Sequence, residues 1–154
     1  MNAHRAGRHL IIGIGSPFGD DQAGWQVIEH LQRMDLPPEV QLLSLDRPGP
    51  ALIEQMQGYS SVILIDAVRT DQYPPGACLE LTPEQLSGLD SLSTHGFGLA
   101  VVLRLASTLA QLPTRLRLFG LCMPTVPTPH AALSPEMRAG VLQLTQQLSA
   151  ALNT

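Results

Sequence analysis

Short apolar runs rich in branched side chains alternate along this chain with longer stretches in which apolar residues recur every three or four positions. The first pattern is typical of buried β-strands and the second of amphipathic helices. One run, residues 77–81, alternates apolar and polar side chains, which indicates an edge strand. The continuous runs predict strands at residues 9–14, 40–45, 61–65 and 116–121, and the helical spacing predicts helices at residues 22–34, 51–57, 98–112 and 135–152.

This order of elements predicts a single α/β domain over residues 1–154. Continuous apolar strands are buried on both faces, as in a parallel sheet covered by helices. We therefore expect a three-layer α/β/α sandwich around a mostly parallel five-stranded sheet, with one antiparallel edge strand. Thr82 and Gln85 have the capping-box spacing that starts a helical turn, and Ser134-Pro135 starts the last helix.

The composition argues against several classes of function. Thirteen acidic residues stand against nine basic ones, all arginine and dispersed, which gives a formal charge of −4 and disfavours a nucleic-acid partner. The N-terminal apolar run is cut by Gly13, Gly15 and Pro17, unlike a signal peptide, and no stretch is long enough to cross a bilayer. We expect a cytoplasmic protein without membrane contact, in which Cys78 and Cys122 are ordinary buried thiols.

The stretch GIGSPFGDDQAG, residues 13–24, joins the first predicted strand to the first predicted helix and carries two adjacent carboxylates, Asp20 and Asp21. Such a loop faces the crevice at the carboxyl ends of the strands. A dinucleotide-binding loop does not fit, because Phe18 stands where G-x-G-x-x-G requires its third glycine. A helix N-cap explains one of the two carboxylates. The other is available for a cation or a proton.

Two further polar residues can reach the same crevice as Asp21. Asp66 follows the third predicted strand, and His95 precedes the predicted helix 98–112. Two carboxylates and an imidazole suit a divalent ion such as nickel or zinc, and three protein ligands leave coordination positions open. From the residues alone other interpretations stay open, since Asp66 can pair with Arg69 or cap a loop, and His95 can cap or pack against its helix.

Motifs along nearly the full length carry a family resemblance. They are GIGSPFGDDQAG, VILIDAV, STHGFGLAVVL and the P-x-x-x-x-P-H-x-x-L-[ST]-P spacing of residues 124–135. Together they resemble the hydrogenase maturation endopeptidases, whose first signature is G-x-G-N-x-x-x-x-D-[DE]-x-x-G. The resemblance implies a phosphorylase/hydrolase-like sandwich. It also implies an endopeptidase that removes the C-terminal extension of a nickel-iron hydrogenase large-subunit precursor after nickel insertion.

The resemblance implies roles for particular residues. Asp21, Asp66 and His95 correspond to the family's metal-contacting catalytic residues, which leaves the capping role to Asp20. The nickel is then carried by the substrate, so we expect no tightly bound metal of the protein's own, although zinc or cadmium could substitute in vitro. The expected partner is the large-subunit precursor, and we expect the protein to be a monomer. His130, in the late proline-rich loop, should be dispensable for metal contact but able to touch substrate.

Four features depart from the family pattern. Ser16 replaces an asparagine, the first loop is one residue shorter, Asp46-Arg47-Pro48 replaces D-G-G, and Thr125 replaces an acid. These departures concern substrate docking more than the three metal-contacting residues. They indicate a divergent subgroup or a different large-subunit partner.

Two other classes of function compete with the protease. Peptidyl-tRNA hydrolases open with a similar G-x-G-N-P loop, but their downstream asparagine and histidine pair is missing after Gly19, and an acidic chain is a poor match for tRNA. A non-catalytic metallocentre chaperone would test for a bound ion without cleaving anything. Turnover on a substrate separates it from the protease.

Overall fold

A five-stranded sheet forms the centre of the structure, a computed structural model that describes residue 5 and residues 7–89, 98–126 and 131–154. A 3-10 turn, Gly19–Gln22, precedes the first helix. The strands are His9–Gly15 (β1), Val40–Asp46 (β2), Ser61–Arg69 (β3), Cys78–Leu81 (β4) and Arg115–Met123 (β5). The helices are Ala23–Gln32 (α1), Ala51–Met56 (α2), Pro83–Leu89 (α3), Leu99–Thr108 (α4) and Pro135–Leu152 (α5).

The strand order is β2-β1-β3-β5-β4, with β4 antiparallel to β5 and every other pair parallel. This confirms the predicted sandwich, including the antiparallel edge strand. The predicted caps are also confirmed. Thr82 and Gln85 exchange hydrogen bonds of 2.8 and 3.2 Å as a capping box, and the Ser134 hydroxyl accepts the Met137 N–H at 3.2 Å.

The sheet is buried on both faces, because alternate side chains of β1 and β3 enter two separate apolar cores. On one face Ile11, Ile63 and Ile65 pack with α1 and α5. On the other face Ile12 and Leu64 pack with α2, α3 and α4. None of the helices in the described ranges combines the length and the apolar character that crossing a membrane requires.

Most element ends lie within about two residues of the sequence prediction, but the ends of α4 and β3 differ from it by four. Helix α4 stops at Thr108 because Ala110 adopts a left-handed φ of +54° and the Gln111 N–H returns to the Ala106 carbonyl at 2.8 Å. Strand β3 continues past Ile65 to Arg69, paired with β5 throughout. The continuous apolar run predicts β3 as far as Ile65 but not its continuation past Asp66, which pairs with β5.

From β1 the chain passes to β2 on one side and then crosses to β3 on the other side of β1, so a crevice opens at the carboxyl ends of β1 and β3. A place where the strand order reverses direction in this way is a topological switch point, and ligands of open α/β sheets bind there. The β1–β3 ladder ends at the pair Gly13 and Ile65. The next residue of β3 is Asp66.

Candidate functional site

Close backbone packing places the start of α1 on the carboxyl ends of β1 and β3. A Cβ built on Gly13 would lie 2.2 Å from the Gly24 carbonyl oxygen. One built on Gly24 would lie 2.5 Å from the oxygen of Ile14 and 2.6 Å from that of Ile65. Only glycine permits so close an approach of backbone to backbone. The glycines of this loop therefore serve to bring the two neighbouring carboxylates to the switch point.

Ser16 fixes Asp21 within the first loop, residues 13–24. The Ser16 hydroxyl donates to Oδ2 of Asp21, and the Ser16 N–H donates to the Asp21 carbonyl oxygen at 3.1 Å. The Asp21 N–H in turn donates to the Phe18 carbonyl at 3.0 Å. Ser16 is buried and Asp21 is half-buried. The serine that replaces the family's asparagine thus orients this carboxylate while leaving it partly open to solvent.

Asp20 does not cap the first helix, so that prediction is wrong. The residues before the 3-10 turn and before α1 make no side-chain capping hydrogen bond. The buried Asp20 carboxylate instead accepts the Ser134 N–H at 2.7 Å and the Ser134 hydroxyl at 2.9 Å. Ser134 is itself the N-cap of α5. Asp20 therefore joins the first loop to the start of the last helix.

Asp66 lies within β3, not after it as the shorter predicted strand implied. It is half-buried and is in register with Gly120 of β5, but it lies one residue beyond the last pair with β1. Side chains alternate along a strand, and Leu64 and Val68 both enter the core under α2, α3 and α4. The side chain of Asp66 is therefore on that same face, at the point where β1 and β3 separate.

The structure brings Asp21 and Asp66 to the same end of the sheet. The 3-10 turn that carries Asp21 contacts both β1 and β3. His95 and His130 fall outside the described residues, and within the described ranges no group of three His, Cys, Asp or Glu residues could hold an ion. Helix α4, which begins four residues after His95, covers the face on which Asp66 lies. The complete three-residue ion site stays a prediction.

Arg47 lies beside the first loop, and the sequence showed it only as a departure from D-G-G. Its φ is +39°, and its N–H donates to the Gly15 carbonyl at 3.2 Å. Its guanidinium donates to Asp46 at 2.8 Å, and this bond and the Asp46 charge raise the pKa of Arg47, with a smaller contribution from Asp21. An exposed cation thus lies in the electrostatic field of Asp21. No local sequence signal predicts this neighbour.

Carboxylates bind Thr125 and Ser134, which stand at the two ends of the proline-rich sequence 124–134. At one end the backbone N–H of Thr125 donates to Asp71 at 3.2 Å and its hydroxyl donates to the other Asp71 oxygen. These two bonds lower the pKa of Asp71. At the other end Asp20 accepts two bonds from Ser134, and the Gln22 amide donates to the Ala131 carbonyl at 2.6 Å. The threonine that replaces the family's acid is therefore paired with an acid from another loop.

The two cysteines are unsuited to nucleophilic catalysis. Burial raises the pKa of the Cys78 thiol to about 11, with additions from Cys122 and Glu80, and burial also raises the pKa of Cys122. The thiolate is the reactive form of cysteine, and little of it exists at neutral pH in such surroundings. Both thiols are free, and the predicted burial is confirmed for Cys122, whereas Cys78 is half-buried.

The chain resembles proteins that process hydrogenases, in sequence and in fold. The family model described as HycI: Hydrogenase maturation protease matches residues 25–151. The chain is 32% identical over 149 residues to the hydrogenase 2 maturation protease of Escherichia coli strain K12. This alignment covers 94% of this chain and 90% of that protein.

Solved structures agree with this relationship. The hydrogenase maturating endopeptidase HybD from E. coli superposes with a TM-score of 0.79 at 28% identity, over 95% of this chain and 92% of that chain. The [NiFe] hydrogenase maturation protease HycI from Thermococcus kodakarensis has the same fold, with a TM-score of 0.76 at 22% identity over 96% of this chain and 93% of that chain. These findings favour the protease over the chaperone and the tRNA hydrolase. The chain belongs to the hydrogenase maturation protease family and is an endopeptidase of hydrogenase maturation.

Proposed function

We propose that this protein, as a cytoplasmic monomer, removes the C-terminal extension of a nickel-iron hydrogenase large-subunit precursor once nickel has been inserted. Asp21, Asp66 and His95 contact the nickel that the precursor carries. The observation behind this proposal is the position of the two aspartates. Asp66 is the first residue of β3 beyond its ladder with β1, and the turn that carries Asp21 contacts both strands.

The chemistry of these side chains suits recognition of an ion that arrives already bound. Two carboxylates and one imidazole offer fewer ligands than a closed metal site, so they bind a free ion weakly and leave positions for ligands from the precursor. Nickel accepts both oxygen and imidazole nitrogen ligands. The Ser16 hydroxyl fixes the direction of the Asp21 carboxylate before the ion arrives. The nickel is therefore the group by which the protein recognises a nickel-loaded precursor.

The test uses purified protein and the nickel-free and nickel-loaded forms of a large-subunit precursor from the same organism. We expect the C-terminal fragment to be released from the nickel-loaded form alone. Mass spectrometry of the reaction mixture detects that fragment. The nickel-free precursor lacks the group that the three residues contact, so it should remain intact over the same time. Equal cleavage of both forms would overturn the recognition role of nickel. Cleavage of neither form would overturn this precursor as the substrate.

The two candidate histidines, His95 and His130, should differ in their effect on ion binding. We expect His95→Ala to abolish the weak heat signal of a nickel, zinc or cadmium titration, because it removes the only nitrogen ligand of the proposed set. His130→Ala should leave that signal unchanged. An equal loss in both variants would require a four-ligand site, and an unchanged signal in His95→Ala would remove this histidine from the site.

A further inference from the structure

Strand β2 is an edge of the sheet. Within the described part of the chain its sheet neighbour is β1 alone. Backbone groups of an edge strand that point away from the sheet can pair with another extended chain. The opposite edge, β4, is only four residues long and carries Glu80 and the adjoining Thr82-Pro83. Of the two edges, β2 is therefore the longer one, with seven residues.

Two hydrogen bonds establish which residues of β2 face outward. The His9 N–H donates to the carbonyl of Glu39 at 3.0 Å, and the Arg47 N–H donates to the carbonyl of Gly15 at 3.2 Å. In a parallel pair the residues that bond to the neighbour alternate with residues that point away. Odd-numbered residues of β2 therefore bond to β1. The N–H and C=O groups of Leu42 and Ser44, like those of Asp46, face the free edge, whereas the outward N–H of Val40 already donates to the Pro37 carbonyl at 3.1 Å.

This edge lacks several of the usual features that prevent strand addition, and its one charged residue, Asp46, is the last of the strand. Natural edge strands are commonly protected by lysine, proline, a bulge or very short length. The sequence VQLLSLD of β2 contains neither lysine nor proline, and its register with β1 runs without a break from Val40 to Asp46. Seven residues at about 3.3 Å each give an edge of roughly 20 Å. An extended peptide could therefore pair along most of its length.

The edge leads to the site. Its last residue, Asp46, accepts a bond from Arg47, and Arg47 is tied through its N–H to Gly15 at the start of the first loop. Gly15 packs closely against Asp21, because a Cβ built on Gly15 would lie 2.5 Å from the Asp21 carbonyl oxygen. A peptide that follows β2 to its carboxyl end therefore arrives beside the carboxylate that is proposed to contact nickel.

We propose that an extended segment of the precursor adds as a strand to the free edge of β2, and that this pairing directs the scissile region to Asp21. The inference rests on the proposed function. An endopeptidase must bind its target as a polypeptide, and main-chain pairing with a sheet edge is a general way to bind an extended one. The outward groups of Leu42 and Ser44 would supply the central hydrogen bonds.

The first test removes one outward donor. Ser44 is exposed and its N–H points away from β1, so Ser44→Pro deletes an edge donor and leaves the β1 ladder in place. We expect at least a tenfold rise in KM for the nickel-loaded precursor with kcat unchanged. Ser44→Ala keeps the N–H and should match the wild type. Circular dichroism and thermal melting of both variants establish that they are folded.

The second test needs no variant. Amide hydrogen exchange of the wild type is compared alone and with saturating nickel-loaded precursor. We expect exchange at Leu42 and Ser44 to slow in the presence of precursor, while Gln41 and Leu43 are protected in both conditions. Normal cleavage with unchanged exchange at Leu42 and Ser44 would overturn the edge pairing and leave the proposed function intact. Protection that instead grows with protein concentration alone would assign the edge to a second copy of this chain. Failure of the wild type to cleave would overturn both proposals.

Discussion

Replacing Asp21 with asparagine should lower cleavage of the nickel-loaded precursor by about 100-fold or more, since even residues that only orient metal ligands are worth about 10–100-fold. Asparagine keeps the size of the side chain and an oxygen that can accept the Ser16 hydroxyl. It removes the negative charge that attracts the ion. The loss should therefore appear in kcat/KM at unchanged thermal stability. Asp66→Asn should lower kcat/KM for the nickel-loaded precursor by a similar factor.

Asp20→Asn is the matched control, because it makes the same substitution at the neighbouring position. Asp20 accepts two hydrogen bonds from Ser134, and an amide can accept only one of them well. We expect a loss of about 1–2 kcal/mol in the free energy of unfolding, measured by denaturant titration, and near-normal cleavage by the folded fraction. If Asp20→Asn lost activity and Asp21→Asn lost only stability, the two roles would be reversed.

Gly24→Ala should destabilise the protein by about 1–3 kcal/mol, the usual cost of forcing extra atoms into a packed region. The added Cβ would lie 2.5 Å from the Ile14 oxygen and 2.6 Å from the Ile65 oxygen. Both are backbone atoms of central strands, so they cannot move aside as a flexible side chain can. Denaturant unfolding monitored by circular dichroism measures the change.

Gly88→Ala provides the opposite case in the same chain. Gly88 is exposed in α3, and nothing lies within 4 Å of a Cβ added there. Alanine in a helix interior is favoured over glycine by about 0.5–1 kcal/mol, so this variant should be as stable as the wild type or more stable. If Gly24→Ala were equally well tolerated, the start of α1 would not be held against β1 and β3 as the structure indicates.

The periodicity of the sequence determined the fold. A strand that is buried on both faces has a continuous apolar sequence, as in residues 61–65. Alternation of apolar and polar residues, as in residues 77–81, identifies an edge strand. These local patterns therefore predicted the parallel sheet and its antiparallel edge. The caps at Thr82 and Ser134 were equally predictable, because each depends on residues three positions apart. Linear motifs also carried the family relationship.

Only the tertiary structure decided which polar groups meet. Asp20 binds Ser134 across 114 residues of sequence, and no local pattern records that pairing, so the capping rule gave the wrong partner. Arg47 came into the field of Asp21 because the β1–β2 register ends at Gly15 and Asp46. Asp66 was predicted to follow a strand but lies within one, because β3 stays paired with β5 beyond Ile65, where its ladder with β1 ends. Hydrogen bonds and charges between distant loops depend on how strand ends align in space, and residue spacing along the chain does not encode that alignment.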